Sequence, residues 1–163
     1  MSLLMRQYMP CGKKTPQSQD LNSRLSQLSR IGTNDLGNGA FLTNDQIQNK
    51  TIVDYLDCVY SALDELYKAG GRYFVLMNIA PLNLAPQYAL PQNGGLKATR
   101  YFPTKATLNT TDVNFRMQEE VALVNDAYKY RTLYYVSEDR YKDAAFAVFS
   151  VHDLVRILTY SIT

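Results

Sequence analysis

Residues 66–80 read LYKAGGRYFVLMNIA: the end of a helical pattern, two glycines, and then an almost unbroken apolar run. Upstream of the glycines, apolar side chains between Ile52 and Tyr67 recur about every 3.6 residues, and acidic side chains occupy the opposite face. Thr51 and Asp54 can cap the first turn of this helix, and the Gly-Gly pair can end it. The apolar run predicts a strand buried on both faces, as in a parallel sheet covered by helices.

The same order of helix and strand recurs downstream. A second helix from about residue 111 is predicted by apolar positions spaced four, four, three and four: Val113, Met117, Val121, Val124 and Tyr128. AFAVFSV (145–151) predicts another buried strand, followed by a helix that starts near His152. We therefore expect neighbouring parallel strands at 73–79 and 146–151, with helices at about 52–69 and 111–130 covering the sheet.

Composition limits the classes of function. The 163 residues suit one domain, and 46% hydrophobic with 20% charged residues is typical of a globular protein. The formal charge is +2 and the basic residues are scattered, which argues against a nucleic-acid partner. No apolar run approaches the roughly 20 residues of a membrane span, and the start lacks the apolar stretch of about 7–15 residues of a signal peptide. A single His makes a zinc site of the usual ligands improbable.

The first 30 residues differ from the rest, so residues 1–30 are separated as a polar segment from a domain at 31–163. QSQDLNSRLSQLSR (17–30) places leucines at helical spacing, which predicts a short helix or a flexible arm. Cys11 and Cys58 allow at most one intramolecular disulfide. The sequons at Asn49 and Asn109 are glycan acceptors only if the chain enters the secretory route.

Two segments occupy positions where α/β proteins bind ligands, beyond the carboxyl ends of strands: GTNDLGNG (32–39) and NIAPLNLAP (78–86). The first could be a simple Asx turn. A nucleotide-binding flavodoxin-like module would need a phosphate loop. GxxxxGK[ST] is absent, and Gly37-Asn38-Gly39 lacks the third glycine of a dinucleotide loop.

IGTNDLGNGAFLT (31–43) resembles the Gly-x-Asn-Asp block of GDSL/SGNH ester hydrolases, and LYKAGGRYFVLMNIAPLNLAP (66–86) resembles the helix, strand and proline loop of fungal and plant members. With RYKDAAFAVFSVHDL (140–154), the span from Ile31 to Leu154 is similar to fungal secreted acetylesterases that act on sugar esters. The resemblance implies an extracellular protein with a flavodoxin-like three-layer α/β/α sandwich, of which this chain is an incomplete, central part. It also implies hydrolysis of short acyl esters, with acetylated plant-cell-wall sugars expected, and no metal or cofactor.

The resemblance assigns roles to three residues. Asn34 belongs to the oxyanion hole, Gly32 lets the backbone bend, and Asp35 braces the loop. An amide held in a dry pocket donates to the developing oxyanion, and losing one such donor typically costs about 10²–10³ in rate. In full-length relatives Cys58 would be a buried thiol or half of a disulfide.

Other family blocks have no match. No Gly-Asp-Ser nucleophile block occurs, and the polar LSQLSR (25–30) replaces the apolar strand expected before Gly32. The family's base is a His three residues after an Asp, whereas Phe149 stands three residues before His152, so His152 is interpreted as an ordinary strand-end residue. The alternative is a catalytically inactive fragment or truncated esterase that lacks the Ser nucleophile and the Asp-x-x-His block. Separately, an unpaired sheet edge predicts that the chain self-associates. KYRTLYY (129–135) could stack bases or sugars, although amphipathic packing is favoured.

Overall fold

The computed structural model describes residues 26–29 and 33–161. Three strands and three helices alternate along it: β1 (Ser26–Ser29), α1 (Ile52–Lys68), β2 (Tyr73–Met77), α2 (Thr110–Ser137), β3 (Ala145–Phe149) and α3 (Val151–Tyr160). The strands form one parallel sheet in the order β1-β2-β3, with Tyr73 in register with Ser26 on one side and Ala145 on the other. Within the described helices, none is long and apolar enough to cross a bilayer.

The predicted α/β order is confirmed, but three elements differ in extent: α2 is longer than predicted, and β2 and β3 each end two residues earlier than predicted. The two predicted strands are parallel neighbours, and α1 occupies the predicted range. α2 continues to Ser137, seven residues beyond the predicted end at about 130. The helix or arm predicted for the polar N-terminal segment is wrong over Ser26–Ser29, which pair with β2 as a strand. Backbone hydrogen bonds to a neighbouring strand do not require apolar side chains, which explains why the pattern missed β1. The other residues of the 1–30 segment, which are residues 1–25 and Arg30, lie outside the described residues.

Local signals set the ends of α1 as predicted. The Thr51 hydroxyl accepts a hydrogen bond from the Asp54 amide at 3.4 Å, and the Asp54 carboxylate accepts one from the Thr51 amide at 2.9 Å. This reciprocal pair is a capping box. At the other end Gly70 adopts a φ of +103°, which a residue with a Cβ rarely adopts. The helix therefore starts and stops where the sequence predicts.

The core lies between one face of the sheet and the helices α1 and α2. Phe74 and Leu76 point from β2 into a cluster with the apolar stripes of both helices. Inside this layer the Tyr55 and Tyr128 hydroxyls hydrogen-bond each other, and the Tyr60 hydroxyl meets that of Thr132 at 2.8 Å. These four hydroxyls are therefore paired across the helix interface.

The expectation that both predicted strands are buried on both faces is wrong. On the face of β2 opposite to the core, Tyr73 is exposed, whereas Val75 and Met77 are half-buried. In β3 every side chain except that of Phe146 is exposed, and no further strand among the described residues pairs with its outer edge. An apolar sequence shows that a strand is suited to burial. Whether its side chains are buried depends on the helices and strands that pack against them. The described residues thus form a parallel sheet with a helical layer, and a third layer remains a prediction.

Cys58 lies at the flank of the α1 stripe, as its position on the helix indicates. Its side chain is buried and is disulfide-bonded. A reactive thiol at this position is therefore ruled out in the oxidised protein.

Candidate functional site

The loop at 33–40, between β1 and α1, presents Asn34 to solvent. The Asn34 carbonyl accepts a hydrogen bond from the Gly37 amide at 3.2 Å, which closes a turn directly after Asn34. Asn34 is exposed, and its side-chain amide bonds to no other residue within the described ranges. The Asn34 backbone carbonyl closes the turn. The Asn34 side-chain amide takes no part in that turn and is available as a donor. Gly32, expected to permit the bend, lies outside the described residues.

The Asp35 side chain is buried in the protein, whereas Asn34 is exposed to solvent. The Asp35 backbone carbonyl accepts from the Phe41 amide at 3.3 Å. Burial raises the pKa of its carboxyl to about 6, although its own backbone N–H partly offsets this effect. Burial mainly raises the pKa of Tyr55 and of Tyr128, and the charge on Asp35 adds to both shifts. This placement fits a bracing role, which remains a prediction.

Asn38 connects this loop to the irregular segment after β2, residues 81–95, which is called the proline loop below. Its side-chain oxygen accepts from the Gln87 amide at 2.6 Å and from the Tyr88 hydroxyl at 3.2 Å. Its side-chain nitrogen donates to the Tyr101 carbonyl at 2.6 Å. These three bonds reach 49 to 63 residues along the chain, so they fix the Asn34 loop against a distant segment. Sequence reasoning missed Asn38, because Gly-Asn-Gly reads equally well as a plain turn.

Gly37 permits the two loops to touch. A Cβ at this position would lie 2.9 Å from the Tyr88 hydroxyl, closer than ordinary van der Waals contact. Burial raises the pKa of Tyr88, so its hydroxyl stays protonated and can donate to Asn38. A side chain at position 37 would therefore have to displace the Tyr88 hydroxyl, which bonds Asn38.

Two asparagines of α2 hold the segment after β2 from the other side. Asn114 donates to the Asn83 carbonyl at 2.8 Å and to the Tyr88 carbonyl at 3.1 Å. The Asn125 side chain both accepts from the Ile79 amide at 2.8 Å and donates to the Ile79 carbonyl at 2.9 Å. These side chains supply hydrogen bonds to backbone groups outside the helices and strands. They therefore hold the proline loop in place against α2.

A cleft of about 510 Å³ opens beside the loop, between residues 42–44 and the first turns of α2. Leu42 and Val113 form its apolar floor, and Asp112 and Arg116 lie on its rim. The Arg116 guanidinium donates to the Asn44 side chain at 3.2 Å, which ties the two walls together. Its size falls within the usual range for small-molecule sites.

Ser150, His152 and Asp153 include the residue types of a catalytic triad, but they form a helix cap. The Ser150 hydroxyl donates to the Asp153 carboxylate at 2.7 Å and accepts from the Asp153 amide at 3.2 Å. His152 Nδ1 lies 3.3 Å from the same carboxylate, and its backbone amide donates to the Asn78 side chain at 3.0 Å. A nucleophile needs a base in contact with its hydroxyl. Within residues 26–29 and 33–161, no serine hydroxyl bonds to His152.

The described residues thus present an exposed amide donor in the loop that follows β1, and a separate group of residues, from Leu42 onward, lines the cleft. Across the same residues, no group of three His, Cys, Asp or Glu side chains is arranged to hold a metal ion. This arrangement can stabilise a developing negative charge. It brings neither a nucleophile nor a base to Asn34.

Comparison with known proteins supports a relationship to an esterase at a coarse level. No protein-family model matches the chain. Over 126 residues, or 77% of its length, the chain is 29% identical to a protein of Hypocrea jecorina named acetylesterase. The matched region is 36% of that relative, so the chain spans about a third of the relative's length.

Proposed function

We propose that this chain forms the central part of a serine-type ester hydrolase of the GDSL/SGNH class, in which Asn34 donates its side-chain amide to the oxyanion. The substrates are short acyl esters, with acetyl esters of carbohydrates expected, and the complete fold is a flavodoxin-like three-layer sandwich. One observation carries the assignment: the exposed Asn34 amide bonds to no other residue in the part of the chain that the structure describes, on a loop that Asn38 fixes to the proline loop. The similarity to an acetylesterase supports the ester chemistry.

The chemistry needs more than this donor. Attack on an ester carbonyl produces a tetrahedral oxyanion, and a preorganised amide stabilises that charge as it develops. The attacking hydroxyl must in turn be in contact with a base. Ser150 donates to Asp153 instead, in a helix cap. This observation favours the alternative, in which the chain alone is catalytically inactive.

Direct assay of the chain tests that alternative. We expect the purified chain to hydrolyse p-nitrophenyl acetate no faster than a control protein of equal concentration. Asn34→Ala is expected to leave that background unchanged, because an oxyanion donor without a nucleophile has little to stabilise. Clear turnover that disappears in Asn34→Ala would overturn inactivity and show that the chain holds a complete esterase site.

A chimera tests the role of Asn34 where nucleophile and base are supplied. Residues 31–154 of this chain, the span that resembles the family and contains Asn34, replace the corresponding part of the Hypocrea jecorina acetylesterase, and cooperative urea unfolding confirms that the chimera folds. We expect ester hydrolysis that falls about 10²–10³-fold in Asn34→Ala.

The matched control is Asn93→Ala, an exposed asparagine in the proline loop, which is expected to leave the rate unchanged. Equal activity of a folded chimera with and without Asn34→Ala would show that Asn34 is not an oxyanion donor.

A further inference from the structure

Two Asn-x-Thr sequons lie on the surface of the protein, each directly before a helix. NKT (49–51) precedes α1, and NTT (109–111) spans the start of α2. The asparagine and the threonine of both triplets are exposed. Such triplets also arise by chance, so a glycan needs the support of side-chain geometry and of the cell compartment.

Asn49 lies in a tight turn with its side chain free. The Lys50 amide donates to the Ile47 carbonyl at 3.0 Å, and Asn49 adopts a φ of +63° within this turn. Asparagine adopts this left-handed conformation more readily than most residues do. Within residues 26–29 and 33–161, its side-chain amide bonds to no other residue. A glycan on Asn49 Nδ2 would therefore break no contact of the described residues.

Asn109 caps α2 through its side-chain oxygen and leaves the nitrogen unused. Its Oδ1 atom accepts from the Thr111 amide at 2.9 Å. An N-linked glycan is attached to Nδ2, so the modified side chain keeps the oxygen that caps the helix. The Thr111 hydroxyl makes no hydrogen bond to any other residue that the structure describes, and threonine is a weaker helix former than alanine. The contacts of the helix therefore do not explain why a threonine stands at position 111.

The disulfide of Cys58 indicates the compartment. Cys58 is disulfide-bonded. Disulfides form and persist in the lumen of the endoplasmic reticulum and outside the cell, and they are rare in the cytosol. Sequons are glycosylated on that same secretory route. The disulfide thus supports the condition on which both sequons depend.

We propose that Asn49 and Asn109 each carry an N-linked oligosaccharide. In the transfer, Nδ2 forms a bond to the anomeric carbon of an oligosaccharide held on a lipid pyrophosphate. The bond from that carbon to the pyrophosphate oxygen breaks, the lipid pyrophosphate leaves, and the amide loses one proton. Asn109 is one of the residues that line the cleft beside residues 42–44, so its glycan starts at the edge of that cleft. The proposal does not depend on ester hydrolysis.

Peptide mass mapping of the secreted chain tests both sites. The full chain is expressed in a eukaryotic host behind a secretion leader and is then treated with peptide-N-glycosidase, which converts a glycosylated asparagine to aspartate. We expect glycan mass before treatment, and aspartate at positions 49 and 109 after it. The same chain made in the cytosol is the control and is expected to keep asparagine at both positions. Unmodified asparagine at either position of the secreted chain would overturn the assignment of that position.

Matched substitutions test whether the sequon directs the modification. Asn109→Asp keeps an oxygen for the α2 cap but removes the acceptor nitrogen, so it is expected to lose one of the two glycans while circular dichroism shows an unchanged helix content. Thr111→Ala is expected to lose the same glycan. Thr110→Ala changes only the middle position and should keep it, and Asn49→Asp should lose the other glycan. A glycan at position 109 that survives Thr111→Ala, or that disappears in Thr110→Ala, would overturn the proposal for this site.

Alkylation without reduction tests the compartment argument separately. Cys58 of the secreted chain is expected to stay unlabelled by iodoacetamide until a reductant is added, because its thiol is in a disulfide. Labelling before reduction would refute the oxidised state from which the secretory route is inferred.

Discussion

The buried charge of Glu120 lowers the free energy of unfolding by an amount that depends on pH. Replacing Glu120 by glutamine measures that amount. The side chain is 13% exposed on α2, and its Oε2 atom is buried without a hydrogen-bond partner among the described residues. Its other oxygen lies 3.9 Å from the Arg116 guanidinium, beyond hydrogen-bond length. Burial raises the pKa of Glu120 from 4.5 to about 7, and Arg116 offsets this only in part.

The sign and size of the effect follow from proton linkage. The folded protein holds the Glu120 proton more tightly than the unfolded chain does, so this group costs nothing below pH 4.5. The cost grows as pH rises from 4.5 to about 7 and is constant above that. At about 1.4 kcal/mol per pKa unit, the full cost is about 3 kcal/mol. Glu120→Gln keeps the shape without the charge, so it should stabilise the fold by up to about 3 kcal/mol at pH 8 and by less than about 1 kcal/mol at pH 5.

Urea unfolding followed by circular dichroism at pH 5 and pH 8 measures the difference in free energy of unfolding. Low chain concentration avoids a contribution from self-association. Glu119→Gln is the control, since its neighbouring carboxylate is exposed and its substitution should change stability by less than about 0.5 kcal/mol. If Glu120→Gln changes the free energy of unfolding equally at both pH values, or lowers it at pH 8, the buried-charge reasoning is refuted.

Two further substitutions test the local structure by the same unfolding measurement. Gly37→Ala should destabilise the fold by about 1–3 kcal/mol, because the new Cβ would sit 2.9 Å from the Tyr88 hydroxyl and push the two loops apart; a neutral result would mean that the loop yields freely. Thr51→Ala removes one half of the capping box with Asp54 and should cost about 1 kcal/mol, and an unchanged midpoint would show that the cap contributes nothing.

Much of the fold could be predicted from residues that interact locally. The α1 stripe, its Thr51 cap and the glycine stop at Gly70 depend on side chains within one or two turns of each other, so sequence spacing contains the information. The strands β2 and β3 were likewise visible as short apolar runs, and their parallel pairing followed from the helix between them. In the candidate site, Asn34 came from the resemblance of its block, and its role as an oxyanion donor stays a prediction.

Tertiary structure alone decided the remaining features, because they depend on partners far along the chain. Ser26–Ser29 form a strand only because β2 lies beside them, and polar side chains gave no sign of it. Asn38 holds the Asn34 loop through residues 49 to 63 positions away, and no pattern within one segment contains such a contact. On α2, Leu123, Tyr130 and Leu133 are core residues by composition, yet each is more than half exposed, because coverage of an apolar side chain depends on what packs against it.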